Sequence, residues 1–126
     1  MHRSRLSTLL IDAPTAEATR SADFWSAALG APPHLVPDEP QFLSLPDAVP
    51  GLVTAVQAVD DAPRYHVDIE TDDVDAEVAR LTALGALEES RWLDCHTLRA
   101  PGGHLLCVIP VHSDPAVFEQ SAHLWP

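Results

Sequence analysis

The side chains best suited to chemistry lie on one short stretch, Arg64 to Asp72, which reads RYHVDIETD. Its residues alternate: Tyr65, Val67, Ile69 and Thr71 fall on one side of an extended strand, His66, Asp68, Glu70 and Asp72 on the other. His66 is by type a general base, and a neighbouring carboxylate such as Asp68 orients an imidazole and raises its basicity. In most proteins a histidine on a strand's polar face is exposed or structural, and Glu70 reads as solvated at the strand's end. Cys107, flanked by Leu106 and Val108, reads first as a small buried hydrophobe. If the hairpin turn before it holds four residues, Arg99 faces His104 and His96 faces Cys107 across the strands. A His–Cys pair can generate a thiolate nucleophile, but no oxyanion motif or orienting partner accompanies this one. Trp25 and Phe42 read as core residues. Trp92 starts a strand, where an aromatic ring can stack on a flat ligand.

The elements that position these residues follow from period and punctuation. Val74, Val78, Leu81 and Leu84 form the apolar stripe of an amphipathic helix, opened by a cap at Asp72-Asp73 and closed at Gly85. Leu6 to Ile11 is an apolar run that Asp12-Ala13-Pro14 breaks. An alanine-rich helix then runs from Thr15 to Leu29; Gly30 closes it and Pro32-Pro33 forbids its continuation. The letters Ala28-Leu29-Gly30-Ala31 return at Ala83-Leu84-Gly85-Ala86, each time closing a helix that follows an apolar strand. Such a repeat points to a duplicated unit. Further strands are expected over His34 to Val36, Gln41 to Leu45, Leu52 to Val59, Leu87 to Glu89, Trp92 to Arg99 and His104 to Ile109. Ala100-Pro101-Gly102-Gly103 turns the last pair into a hairpin. Each half thus reads β-α-β-β-β, with Asp61-Ala62-Pro63 as the seam. The tail from Ser113 onward is expected to form a short helix, with Phe118 and Trp125 packing back onto the body.

Composition narrows the function classes. The 126 residues, 46% of them hydrophobic, suit one globular domain with its own core. A net charge of −12, with only seven Lys and Arg, repels nucleic acid and anionic membranes. No apolar run approaches the roughly 20 residues that span a bilayer, and the N-terminal run lacks a small-residue cleavage site. The two cysteines are too few for a disulfide scaffold and lack zinc-motif spacing. The expectation is a cytoplasmic protein whose ligand is neutral or cationic. His2, His112 and His123, near the ends, are assigned no role.

The doubled βαβββ unit, Phe24-Trp25 before Leu29-Gly30, His66 heading the fifth strand and Pro101-Gly102-Gly103-His104 before a final strand together resemble the vicinal oxygen chelate superfamily. This superfamily includes glyoxalase I, the bleomycin-resistance proteins and extradiol dioxygenases. The actinobacterial glyoxalase-like branch, with its final-strand cysteine and C-terminal tryptophan, is the nearest match. The resemblance implies an α+β fold in which two βαβββ modules, about 4–60 and 64–110, form an open eight-stranded barrel around a cavity. Residues 111–126 form the tail of this single domain, and the assembly implied is a homodimer. Metal-bearing members take four ligands from the first and last strands of each unit, and the metal acts as a Lewis acid. Here those places hold Thr8 (or Ser7), Gln57, His66 and Cys107. Neutral hydroxyl and amide groups suit a hard divalent ion poorly, whereas an imidazole and a thiolate can hold zinc.

The function implied is binding of a small organic molecule in the cavity without an intact metal site. Thr8, Gln57, His66, Asp68, Trp92, His96 and Cys107 are the candidate binding residues and His66 the candidate catalytic one. The alternative is a lyase, isomerase or dioxygenase with a divalent metal at His66 and Cys107. An enzyme using His66 as a metal-free base beside Asp68 is a third reading.

Overall fold

The first strand is longer than its sequence suggests. In the computed structural model, which describes residues 1–126, β1 spans His2–Pro14. It therefore includes the Asp12-Ala13-Pro14 segment expected to end it. Parallel pairing with β4 (Val53–Val59) holds this segment, with Asp12 beside Gln57 and Pro14 beside Val59. Tertiary pairing thus overrides the low strand propensity of Asp, and Pro14 is tolerated because it is the last residue of the strand.

The chain divides into two compact units, Thr8–His66 and Met1–Ser7 with Val67–Pro126. In the first, the later part of β1 leads through a 3₁₀ turn, Thr15–Glu17, into α1 (Ala18–Leu29). Gly30 ends this helix in the left-handed region at φ 69°, the conformation that glycine adopts without steric cost. Two short strands follow, β2 (His34–Leu35) and β3 (Phe42–Ser44), and the sheet order is β2-β3-β4-β1. Ile11, Ala13, Val56 and Leu45 pack on Ala22 and Trp25 of α1, so Trp25 is a core residue as expected. Alternation then sends Thr8, Leu10 and Asp12 to the face away from the helix, together with Ala55 and Gln57.

The second unit repeats the plan. The later part of β5 (Arg64–Thr71) leads into α2 (Val74–Ala83), and β6 (Leu87–Trp92), β7 (Cys95–Arg99) and β8 (Leu105–Pro110) complete a sheet of order β5-β8-β7-β6. Asp73 caps α2 by accepting the Ala76 N–H at 3.0 Å. Val74, Val78 and Leu81 pack against Val67, Ile69, Leu98, Leu106 and Val108. The stripe stops there, because Leu84 is the C-cap and is 67% exposed.

Two expectations for this unit are corrected. The strands expected over Leu87 to Glu89 and Trp92 to Arg99 are instead one tight hairpin. Trp92 ends β6 opposite Cys95, and Leu93, at φ 55°, begins the turn. Leucine rarely takes that conformation, so no turn signal marks the place. The next hairpin is longer by one residue than a four-residue turn allows. Gly102 and Gly103, at φ 94° and 93°, let the Ala100 N–H reach the His104 carbonyl at 2.9 Å. Arg99 therefore pairs with Leu105, and Thr97 rather than His96 pairs with Cys107. A slip of one residue moves every side chain to the other face. His96 accordingly sits beside Val108, on the side that packs against α2. The outer strand, β6, is exposed along its whole length and bulges between Glu88 and Ser90.

The tail forms α3 (Pro115–Ser121) and β9 (His123–Trp125), which pairs antiparallel with His2–Ser4 of β1. Phe118 is buried, and the Trp125 Nε1–H donates to Ser4 Oγ at 2.9 Å. Arg80 lies 3.7 Å over the Trp125 ring. Arg80 also grips the fully buried Glu77 with two bonds of 2.7 and 2.9 Å, and His2 Nε2 meets it at 2.8 Å. No helix is long and apolar enough to cross a membrane.

Burial alone would raise the Glu77 pKa, but the bonds from Arg80, Ser4 and His2 outweigh it and lower it from 4.5 to about 2. A depressed carboxylate pKa stabilises the fold fully above pH 4.5, and that contribution disappears as the pH falls through 2. Glu77→Gln is expected to cost on the order of 2 kcal/mol at neutral pH. It should also flatten the wild-type loss of stability between those two pH values. Urea unfolding at a series of pH values checks both.

Candidate functional site

In the unit Thr8–His66, β1 and β5 bring together a pair that the sequence did not announce. His66 Nδ1 lies 2.6 Å from Asp12 Oδ2, with 7% of the histidine and none of the aspartate side chain exposed. Arg64, on the same face of β5 as His66, brings its Nε–H to the same oxygen at 2.9 Å and a second N–H to Asp61 at 2.7 Å. Burial would lower the Arg64 pKa, but Asp12 and Asp61 overcome this and raise it above its ordinary value. A charge buried in a sheet needs such partners, because unpaired it would cost several kcal/mol. Asp12 Oδ1 is buried without a hydrogen-bond partner.

With Nδ1–H donating to the carboxylate, the basic lone pair of His66 is on Nε2. The carboxylate also stabilises the imidazolium formed when Nε2 takes a proton. Asp12 is a partner of this ring that the sequence did not offer, because Asp12 reads there as the end of a strand. Gln57 is the cross-strand neighbour of Asp12 and is half-buried. Thr8 is buried beside Val53, four residues and roughly 13 Å along the strands from Gln57. A cavity of about 430 Å³ beside Arg64 is lined by Ile11, Asp12, Trp25 and Tyr65 among others, and His66 is not in its wall. It is therefore not the pocket expected around that histidine.

In the other unit a second set of polar groups occupies the face turned away from α2. Asp68 pairs with Cys107 in the β5–β8 ladder, and their donor atoms lie within 4.8 Å. Thr97 Oγ1 is 3.5 Å from Cys107 Sγ. Cys95, two residues before Thr97, shares this face by alternation. The neighbouring Cys107 thiol lowers the Cys95 pKa from its ordinary 9.0, against the opposing effects of burial and of the Asp68 charge. The sequence reading gave Cys95 no role. Alternation from Thr97 would have placed it on the same face as Cys107, had the register been known. His96 is buried on the opposite face, 3.4 Å from Glu88. Trp92 is 75% exposed at the end of β6.

Glu70, expected to be solvated, is fully buried. The chain beyond β8 folds over the end of β5, so that Ser113 Oγ donates to Glu70 Oε2 at 2.7 Å and His112 Nε2 lies 3.1 Å from it. His112 Nε2 also lies 3.0 Å from Ser7 Oγ. These partners are 43 and 105 residues apart in sequence, and nothing local foretold them.

Two βαβββ units with polar groups on the faces opposite their helices define an α+β protein of the vicinal oxygen chelate type. More specifically, the chain belongs to the glyoxalase-like domain family, which matches residues 8–109. No curated protein matches the sequence. Among solved structures, a variant of methylmalonyl-CoA epimerase from Streptomyces coelicolor, in complex with 2-nitronate-propionyl-CoA, is similar at 19% identity. The match covers 86% of this chain and 98% of that one, with a TM-score of 0.55. Methylmalonyl-CoA epimerase in complex with methylmalonyl-CoA and ammonium matches at 18% identity over 88% and 96% of the two chains, with a TM-score of 0.55. The enzyme from Mycobacterium tuberculosis matches at 15% identity over 84% and 87%, with a TM-score of 0.50. At these identities the likeness establishes the fold.

Some members of the superfamily hold a divalent metal, and the side chains here whose types can ligate one are His66, Asp68 and Cys107. His66 and Asp68 share a face of β5 by alternation, and Cys107 lies beside Asp68. One sulfur beside an imidazole nitrogen and a single carboxylate makes this a mixed donor set, softer than an all-oxygen one. It does not fit an oxygen-preferring ion.

The Asp12–His66 contact yields a direct check. Wild-type His66 should be found with its neutral-form proton on Nδ1, and Asp12→Asn should redistribute it between the two nitrogens. Long-range ¹H–¹⁵N spectra of the histidine side chains at alkaline pH distinguish the tautomers.

Proposed function

We propose that this protein binds a small organic molecule on the sheet face bearing Asp12, Gln57 and His66, without an oxygen-ligated divalent ion at the centre. The observation that carries this reading is the buried 2.6 Å contact between Asp12 and His66. It presents an oriented hydrogen-bond acceptor, backed by a carboxylate, in a setting where burial strengthens polar interactions. Gln57 supplies an amide beside it, and Asp68 extends the polar face along β5. The net charge of −12 favours a neutral or cationic ligand. An eight-stranded barrel around the ligand, a homodimeric assembly and a cytoplasmic setting belong to the same proposal.

The same pair supports a second reading, proton transfer. An imidazole whose Nδ1 is held by a buried carboxylate can take a proton at Nε2 and return it, the step that epimerisation at an acidified C–H bond requires. The structural neighbours are named as epimerases of methylmalonyl-CoA, which makes acyl thioesters one class to test. The metal-dependent lyase or dioxygenase reading is less favoured, because the donor set has a single carboxylate and includes a sulfur.

A thermal-shift screen of neutral and cationic aromatic compounds and of acyl-CoA thioesters, followed by calorimetry, tests both readings. For any ligand found, His66→Ala should weaken binding by roughly 10- to 100-fold, as loss of a charge-assisted hydrogen bond does. For any substrate turned over, the same change should lower the rate at least about 100-fold. A ligand whose affinity and turnover are unmoved by both His66→Ala and Asp12→Asn would overturn the assignment.

A further inference from the structure

We propose that the cavity between α1 and the start of β5 is a second binding site, and that it takes a small arylalkyl ammonium ion. On β5, Tyr65 alternates with Arg64 and His66, so its ring lies on the side of the strand opposite the imidazole. There it meets Trp25 of α1, with ring centroids 6.4 Å apart and ring planes at 79°. Glu17, Ser21 and Trp25 follow one another at intervals of four residues, which aligns them along one face of the helix and its leading turn. All of these line the cavity, and His66 does not. The inference is therefore independent of the role of His66.

Size and lining suit a small organic molecule. The volume of about 430 Å³ falls in the range of small-molecule sites. Buried Ile11 and Ala13 form the deep end, and the exposed Glu17, Pro63 and Tyr65 form the mouth. Near-perpendicular aromatic rings make a corner, and a cation held against it is attracted by the ring quadrupoles. Tyr65 is 61% exposed, so its ring is open to a ligand.

Charge selects a cation. Arg64 also lines the cavity, but two carboxylates hold its guanidinium, Asp12 at 2.9 Å and Asp61 at 2.7 Å, so the three groups together are net negative. Glu17 adds a further carboxylate at the mouth. Its 3.2 Å contact with Arg20 lies in water, where such pairs contribute little, and the carboxylate is free to turn toward a ligand. Asp12, another lining residue, keeps Oδ1 buried and without a partner, and an ammonium group supplies N–H donors of the kind that oxygen lacks. An aryl ring packed on Ile11 and the aromatic corner, with a short tether to the ammonium, matches the apolar and acidic parts together.

The test uses the full chain labelled with ¹⁵N. It is titrated with phenethylamine, which is cationic at neutral pH, and with phenylacetate as an anion of similar shape. The amine should shift the Trp25 indole and Tyr65 amide signals saturably, and phenylacetate should bind at least about tenfold more weakly. Tyr65→Ala should weaken amine binding roughly 3- to 10-fold, as loss of a cation–π contact does. Glu17→Gln should weaken it roughly two- to fivefold, the worth of an exposed charge. Ser21→Leu, which puts a larger side chain into the cavity from a helix that accepts leucine, should abolish it. Tyr65→Ala and Glu17→Gln alter exposed side chains, so they keep the test sound even if Ser21→Leu unfolds. Absence of any saturable shift at millimolar amine would overturn the proposal, as would equal affinity for phenylacetate. So would shifts confined to Gln57 and His66, which would place the amine on the other face, or affinity unchanged by both Tyr65→Ala and Glu17→Gln.

Discussion

A paired strand sends alternate side chains to opposite faces, and both units are organised by that constraint. In each, one face of the sheet is sealed by a helix. Ile11 and Ala13 of β1 lie under α1; Val67 and Ile69 of β5 and Leu106 and Val108 of β8 lie under α2. The intervening residues have no helix to cover them, and these are the ones with chemistry: Asp12, His66, Asp68, Cys95, Thr97 and Cys107. Apolar and reactive positions are interleaved one for one, so the site cannot drift without exposing the core. This also makes register more consequential than any single contact.

A second theme is how an acid-rich chain buries carboxylates. Asp12, Glu70 and Glu77 are 2%, 0% and 0% exposed, and each meets a histidine: His66, His112 and His2 respectively. Arginine reinforces Asp12 through Arg64 and Glu77 through Arg80. With only seven Lys and Arg in the chain, histidine serves as the extra donor. The outer pairs, such as Arg20 with Glu17, sit in water and contribute little by comparison.

Much of the fold was legible in the sequence because its signals are local. The period change after Thr71, the Asp73 cap, the Gly30 helix stop and the doubled β-α-β-β-β order all rest on residues within a turn or two of each other. The chemistry was less legible, because it depends on pairing between distant segments. Asp12 looked like a strand terminator until pairing with β4 made it a strand residue facing His66. His96 and Thr97 exchanged places because two glycines lengthened a hairpin by one residue. Glu70 looked solvated because the segment that covers it begins 42 residues later, at His112. Cys95 was passed over for the same reason as His96 was favoured, since its neighbours follow from a register that composition does not encode.

The outer strand β6 has a consequence for how copies of this protein meet. An exposed strand is a template on which another chain can add, and long flat apolar edges lead to uncontrolled stacking. Here the edge carries Glu88, Glu89 and Arg91, with Arg91 pairing back to Glu88 and Glu89 paired to Arg99. The bulge between Glu88 and Ser90 breaks the regular ladder that a docking strand would need. The apolar residues left at the tip, Trp92 and Leu93, flank a turn rather than a straight run. The edge is thus closed to fibre-like growth by charge and shape.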